Sequence, residues 1–122
     1  MPAREGPPRF DLEECSYLFA LRIRKFVRQL PRTICHQEDV RQLVRSSGSI
    51  GANYIEANET VGQKDFRYRL RIARKEAKES RHWLRLLDTS HSSELDLERE
   101  ALIQESVELM LILTAILKKT ES

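Results

Sequence analysis

From Thr33 to Ser122 the chain contains no proline. Apolar residues recur through that stretch every three or four positions, so little but long helices is open to it. Pro2, Pro7 and Pro8 lie before residue 10, where a short charged leader over 1–9 is expected to be disordered. The first helix is predicted over about 11–30. Asp11 with Glu14 forms a capping box at its start, Leu12, Cys15, Phe19, Ile23, Phe26 and Leu30 share its inner face, and Pro31 closes it. The second is predicted over about 37–59, with Val40, Leu43, Val44, Ser47, Gly51, Tyr54 and Asn58 inward and Gly62 as its stop. The third, about 64–87, turns Phe66, Leu70, Ala73, Ala77, Ser80, Leu84 and Leu87 inward. The polar run Thr89 to Ser93 reads as a loop whose last serines cap a fourth helix over about 94–119, ending in Lys118 and Lys119. No segment alternates at period two and no internal repeat is visible. The expected fold is all-α, a single antiparallel up-down-up-down four-helix bundle over 10–119.

The fourth helix is too apolar for one face. Nearly every position from Val107 to Leu117 is hydrophobic, and a helix that is apolar all round is buried all round. A helix of a simple bundle keeps one wet side, so this breadth points to a second buried face and a homo-oligomer, with Val107, Met110, Leu111 and Thr114 as its expected interface. A wide stripe buried within one chain is the alternative.

A formal net charge of +2 hides a sorting of charge along the chain. Between Lys64 and Arg85 nine bases stand against three acids, whereas from Asp88 onward eight acids stand against three bases. Seven of those bases, Lys64, Arg67, Arg71, Arg74, Lys78, Arg81 and Arg85, are spaced alternately three and four residues apart. On a helix they fall within an arc of about 100° and form a strip of about 32 Å. Neighbouring like charges at such spacing repel by roughly 0.2–0.5 kcal/mol per pair, so a compensating negative partner is expected. One candidate is a nucleic-acid backbone, RNA or DNA, since Arg binds phosphate oxygens bidentately. The other is the fourth helix, whose Glu94, Glu98, Glu105 and Glu108 make an acidic stripe; in an antiparallel hairpin Glu94 would lie near Arg85 and Glu105 near Arg74. Tyr68 and Trp83 lie off the strip, which disfavours stacking on single-stranded bases and leaves contact with the backbone.

The small-residue run Ser46 to Asn53 holds two glycines inside a helix, each costing about 0.5–1 kcal/mol against alanine. Close approach of another helix explains them, with Ser47, Gly48, Gly51 and Ala52 as the packing surface. Gly48-Ser49-Ile50-Gly51 also spells the G-x-x-G of KH domains, but the strands of that fold are missing, and no Gly-Lys-Ser/Thr follows to make a phosphate loop. Glu79 and His82 form one Glu-x-x-His; a di-iron bundle needs two, and neither His36 nor His91 supplies the second. No metal and no cofactor are therefore expected. Cys15 reads as a small core residue and Cys35, beside His36 in the loop after the first helix, lacks an orienting acid, so no nucleophile is expected either. Arg45, Asn53, Glu56, Glu59, Glu76 and Glu79 are candidates for a polar network between helices or subunits, with ordinary exposed charges as the alternative. Two cysteines without disulfide spacing suit a reducing cytoplasm, and the longest apolar run, Leu109 to Leu117, falls far short of the roughly 20 residues of a membrane span.

Several strings in this chain occur together in one known group. Arg45-Ser46-Ser47-Gly48-Ser49-Ile50-Gly51-Ala52-Asn53-Tyr54-Ile55-Glu56-Ala57 is the most specific of them. It is joined by Lys64-Asp65-Phe66, Ala73 to Ser80, Trp83-Leu84, and the openings Phe10 to Glu14 and Ala20 to Arg24. On these the sequence resembles the four-helix bundle proteins encoded in intervening sequences of bacterial 23S rRNA genes, over about residues 10–119. The resemblance implies a bundle that assembles as a ring-like homopentamer. The group is also similar to the accessory variability proteins of diversity-generating retroelements, basic pentamers that engage nucleic acid and a reverse transcriptase. It implies no catalytic residues. Two functions follow as expectations: a non-enzymatic oligomer that contacts RNA through a basic helix face, or a protein–protein adaptor whose charges serve its own assembly.

Overall fold

The computed structural model describes residues 11–121, so the leader expected over 1–9 lies outside them. Four helices follow one another: α1 (Leu12–Val27), α2 (Ile34–Asn58), α3 (Gln63–Leu86) and α4 (Ser93–Lys119), with no strand among the described residues. Side-chain caps start three of them. Asp11 Oδ1 accepts the Glu14 amide at 3.1 Å, Thr33 Oγ1 the His36 amide at 3.2 Å, and Ser92 Oγ the Leu95 amide at 3.2 Å. Lys118 and Lys119 close α4 against its negative end.

Two boundaries differ from expectation. The first helix ends at Val27, and residues 28–30 form a turn before Pro31. The second begins three residues early because Thr33 caps it, which moves Cys35 and His36 from a loop onto its first turn. Gly62 does not stop α2; it is the N-cap of α3, with φ +93° and ψ 155°, a conformation that residues with a Cβ avoid.

The partners of the cross-helix bonds run in opposite directions. Arg45 and Ser46 of α2 meet Glu76, Glu79 and Ser80 of α3, whereas Asn53, further along α2, meets Arg69, further back on α3. Arg67 and Arg74 of α3 reach Thr120 and Thr114, at the far end of α4, and Leu87 is met by Arg99 near its start. Arg22 of α1 reaches Glu98 of α4. The α3 helix therefore lies antiparallel to both α2 and α4, and α1 packs between the same two helices.

One apolar core fills the middle. Phe19, Ile23 and Phe26, Leu43 and Ile50, Leu70 and Leu84, and Leu102, Leu109, Leu113 and Leu117 are all buried in it. Each such side chain contributes roughly 1.5–3 kcal/mol relative to exposure. The α2–α3 seam is narrow because its residues are small: Ser46, Ser47, Ala73, Ala77 and Ser80 are fully buried. The buried serines are satisfied locally, each Oγ reaching a carbonyl of the preceding turn, and Ser46 and Ser80 also meet across the seam at 2.9 Å. On α2 the innermost line is Leu43, Ile50 and Ala57, so Asn58, expected inside, is exposed.

Buried His36 ties two corners together. Its Nδ1 lies 2.8 Å from the Pro31 carbonyl, and its Nε2 accepts the Asp88 amide at 2.8 Å. That pairing requires the neutral ring with its proton on Nδ1, and it fastens the α1–α2 turn to the end of α3.

Candidate nucleic-acid interface

Five of the seven bases of the predicted strip, Arg67, Arg71, Arg74, Arg81 and Arg85, border α4 or the residues that end it. Lys64, Arg71, Lys78 and Arg85 are exposed, and Arg67, Arg74 and Arg81 are half-buried. Their inner edge is set by the core line Leu70, Ala73, Ala77 and Leu84, which turns the opposite positions outward. Two of them meet the end of α4. Arg67 Nη1 donates to the Thr120 carbonyl at 3.0 Å, and Arg71 Nη2 stands 3.6 Å from Glu121 Oε1. Both sit where the carbonyls that end α4 concentrate negative potential. Arg74 Nη1 donates to Thr114 Oγ1 at 3.3 Å.

Of the two candidate partners, the four α4 glutamates, Glu94, Glu98, Glu105 and Glu108, make no ion pair with the strip. Glu98 turns to α1, where Arg22 holds it in a fork: Nε donates to Oε2 at 2.7 Å and Nη2 to Oε1 at 2.8 Å. The Arg22 hydrogen bonds hold the Glu98 carboxyl below its ordinary range, and Glu98 in turn raises the Arg22 guanidinium. Glu105 faces the same side, close enough to act on Cys15 and Arg22. Glu108 accepts from Gln104 of its own helix at 3.2 Å. The acidic stripe is thus turned toward α1 and the outer surface, because Leu102, Ser106, Leu109 and Leu113 take the inward angle. Among the described residues Lys64, Arg67, Arg74, Lys78, Arg81 and Arg85 have no carboxylate within ion-pair distance.

The polar network expected between helices forms in part. Arg45 Nη1 donates to Glu76 Oε2 at 2.9 Å, and Nη2 donates to Glu76 Oε1 at 3.3 Å and Glu79 Oε1 at 3.2 Å. The Glu76 side chain is only 8% exposed, and its hydrogen bonds push the Arg45 guanidinium above its ordinary value. Asn53 joins Arg69 instead, while Glu56 and Glu59 stay exposed. With Glu79 turned to Arg45, the Glu-x-x-His pairing is separated: His82 is exposed, its ring edge-on to Trp83 at 4.9 Å between centroids. Burial, then Glu105, Asp11 and Glu14, pushes the Cys15 thiol up and away from the thiolate a nucleophile needs.

The four small residues proposed as a packing surface sit in different surroundings. Ser47 is fully buried; a Cβ on Gly51 would stand 2.8 Å from Ser16 Oγ, and one on Gly48 3.5 Å from Arg24 Nη2. Ala52 is instead exposed, on the rim of a cleft of about 690 Å³ between α1 and α2. Tyr17, Leu21 and Ile55 line the same cleft and are exposed, as is the neighbouring Leu18.

The breadth of α4 is mostly absorbed inside the chain. Ile103, Met110, Ile112 and Ile116 pack partly buried on the core, flanked by α3 on one side and α1 on the other. Of the expected interface residues Val107, Met110 and Thr114 are half-buried, and Leu111 alone is strongly outward, at 63% exposure. Sequence reasoning gave no structural role to three residues that the fold uses at three separate places: Ser16 against Gly51, His36 between Pro31 and Asp88, and Arg99 against Leu87. Arg99 stands between Glu98 and Glu100, so the acidic average of its neighbourhood concealed it.

The sequence profile of the family described as 23S rRNA-intervening sequence protein matches residues 10–115. Among curated proteins none matches the chain. A solved structure similar to it is the crystal structure of a protein of unknown function from the S23 ribosomal protein family of Bacteroides thetaiotaomicron. The two share 33% sequence identity and a TM-score of 0.73, over 88% of this chain and 99% of that one.

Proposed function

The chain belongs to the 23S rRNA-intervening sequence protein family, and from that premise we propose that it is a non-enzymatic RNA-binding bundle whose contact surface is the basic strip of α3. One observation carries the reading: Glu98 of α4, which could have neutralised the strip, is held by Arg22 of α1 instead, and among the described residues Arg71 alone of the seven bases has a carboxylate, Glu121, within ion-pair distance. A line of like charge about 32 Å long is then left facing outward. A phosphate backbone supplies a matching line of negative charge, and five of the seven residues are arginine, suited to bidentate phosphate contact. The strip lacks base-stacking aromatics, which favours contact with the backbone over readout of bases. Two free thiols and a role in RNA contact suit a reducing cytoplasm.

The test is filter binding of RNA across a salt series. Wild-type affinity is expected to fall steeply, as counterion release requires. Changing Arg67, Arg71 and Arg74 together to Glu should abolish binding, and an unchanged affinity in that variant would retire the reading.

Self-association is the second part of the proposal, and it is where the adaptor reading keeps its support. Tyr17, Leu18, Leu21 and Ile55 are exposed together over a floor of small residues, an arrangement that suits a second copy of the chain. A homo-oligomer, with the ring-like pentamer as the form suggested by resemblance, would set several strips on one assembly and raise avidity for a long RNA.

A further inference from the structure

The basic strip ends in a cleft that sequence reasoning did not foresee. At the C-terminal end of α3, Arg81 and Arg85 face Arg99, Glu100 and Ile103 of α4 across a space of about 350 Å³. Three guanidiniums share this one cleft. Neither Arg81 nor Arg85 has a carboxylate partner among the described residues.

Arg99 is held by the fold rather than by solvent. Its Nη1 donates to the Leu87 carbonyl, and its Nη2 stands 3.5 Å from Asp96 Oδ1, a carboxylate that Thr89 Oγ1 also engages. Its side chain is 24% exposed. The third donor, Nε, is buried and has no hydrogen-bond partner. Glu100 Oε2 is 3.9 Å from it, beyond hydrogen-bond reach, and the Glu100 side chain is 68% exposed. A buried donor on a charged group is rarely left unmatched, and three arginines lining one cleft offer donors enough for an anion with several acceptor oxygens.

We propose that Arg81, Arg85 and Arg99 form a phosphate clamp that takes one phosphate of an RNA strand lying along the strip. The source of the phosphate rests on the RNA reading above, while the clamp itself rests on Arg99 and its unmatched donor. Arg99 is pre-positioned by Leu87 and Asp96, so it offers its donors in a fixed direction, and Arg81 and Arg85 close on the same phosphate from α3. Glu100 opposes binding by its charge and is free to swing outward.

The test follows the Arg99 Nε–H signal of the full-length, nitrogen-15-labelled chain by NMR during titration with inorganic phosphate, at constant ionic strength set by chloride. A saturable shift is expected, about tenfold weaker when Arg81 and Arg85 are both changed to Ala and tighter in Glu100→Gln. Arg81 and Arg85 lie outside the core, so circular dichroism should read an unchanged fold in that double variant. A signal that does not move, moves equally with chloride, or responds identically in the double variant overturns the clamp. Oligoribonucleotides with a 5′-phosphate or a 5′-hydroxyl then separate an end phosphate from an internal one; a response to either supports the clamp. RNA binding without any Arg99 response overturns the clamp and leaves the strip standing. An Arg99 response to phosphate in a chain that fails to bind RNA overturns RNA as the source.

Discussion

At the scale of single residues, the two helical glycines do different things. In the sequence Gly48 and Gly51 look equivalent, two small residues in one run, and nothing in their spacing says which is needed. The neighbouring helix decides. A Cβ on Gly48 would make an ordinary contact, 3.5 Å from Arg24 Nη2, whereas one on Gly51 would come within 2.8 Å of Ser16 Oγ. Gly48→Ala is therefore expected to stabilise the protein by about 0.5–1 kcal/mol, the helix-propensity difference. Gly51→Ala should lose that gain to the displaced Ser16 hydroxyl, which is buried and bonded to the Glu13 carbonyl at 3.1 Å. Adding Ser16→Ala should restore it, since the remaining Ser16 Cβ lies 3.5 Å away. Urea midpoints of the three variants and their double mutant measure the coupling. Independent, additive effects at 16 and 51 would show that α1 does not press on α2 there. His36 shows the same limit: its sequence neighbours gave no sign that Pro31 and Asp88, one just before it and one far along the chain, would occupy both ring nitrogens.

At the scale of helices, existence and type were legible and partner choice was not. The pitch of Leu70, Ala73, Ala77 and Leu84 announces α3 and its inner face, and Ser92 announces the start of α4. Which helix the acids of α4 would face depends on the rotation of α4 in the bundle. Its own apolar breadth blurs that angle. The Arg22–Glu98 fork is the outcome, and it carries a pH signature. The folded Glu98 carboxyl sits below its ordinary range because Arg22 hydrogen-bonds it. Its contribution is therefore fully present above the unfolded value of about 4.3 and lost as pH falls through the lower folded value. Both side chains are partly exposed, which keeps the contribution to about 0.2–1 kcal/mol. Glu98→Gln should accordingly destabilise the protein at neutral pH and match wild type only once the pH has fallen below the lowered folded value, where the wild-type carboxyl is itself protonated. A gap between the two urea midpoints that stays constant from neutral to acid pH would show that the fork is not what Glu98 contributes.

At the scale of the whole molecule, the bundle followed from pattern, but its outer surfaces did not. The apolar breadth of α4 pointed to an interface at Val107, Met110, Leu111 and Thr114, yet three of these are half-buried within the chain. What remains outward on α4 is discontinuous: Leu97, at 73% exposure, and Leu111 are separated along the helix by the hydrogen-bonded pair Gln104 and Glu108. The α1–α2 face is the more continuous apolar surface, since Tyr17, Leu21 and Ile55 line a single cleft and Leu18 is exposed beside it. Its charges are also sorted, with Glu13 and Glu14 at one end of the cleft and Arg24 at the other, so a neighbouring copy can meet acid with base. Changing Leu21 and Ile55 together to Glu is expected to shift the wild-type assembly to monomer in sedimentation velocity at micromolar concentration, with helicity unchanged because neither side chain is in the core. Leu111→Glu should leave the assembly intact. If instead Leu111→Glu dissociates it and the α1–α2 variant does not, α4 carries the assembly after all. A wild-type chain that sediments as a monomer would remove self-association from the function altogether, leaving RNA contact to rest on a single strip without avidity.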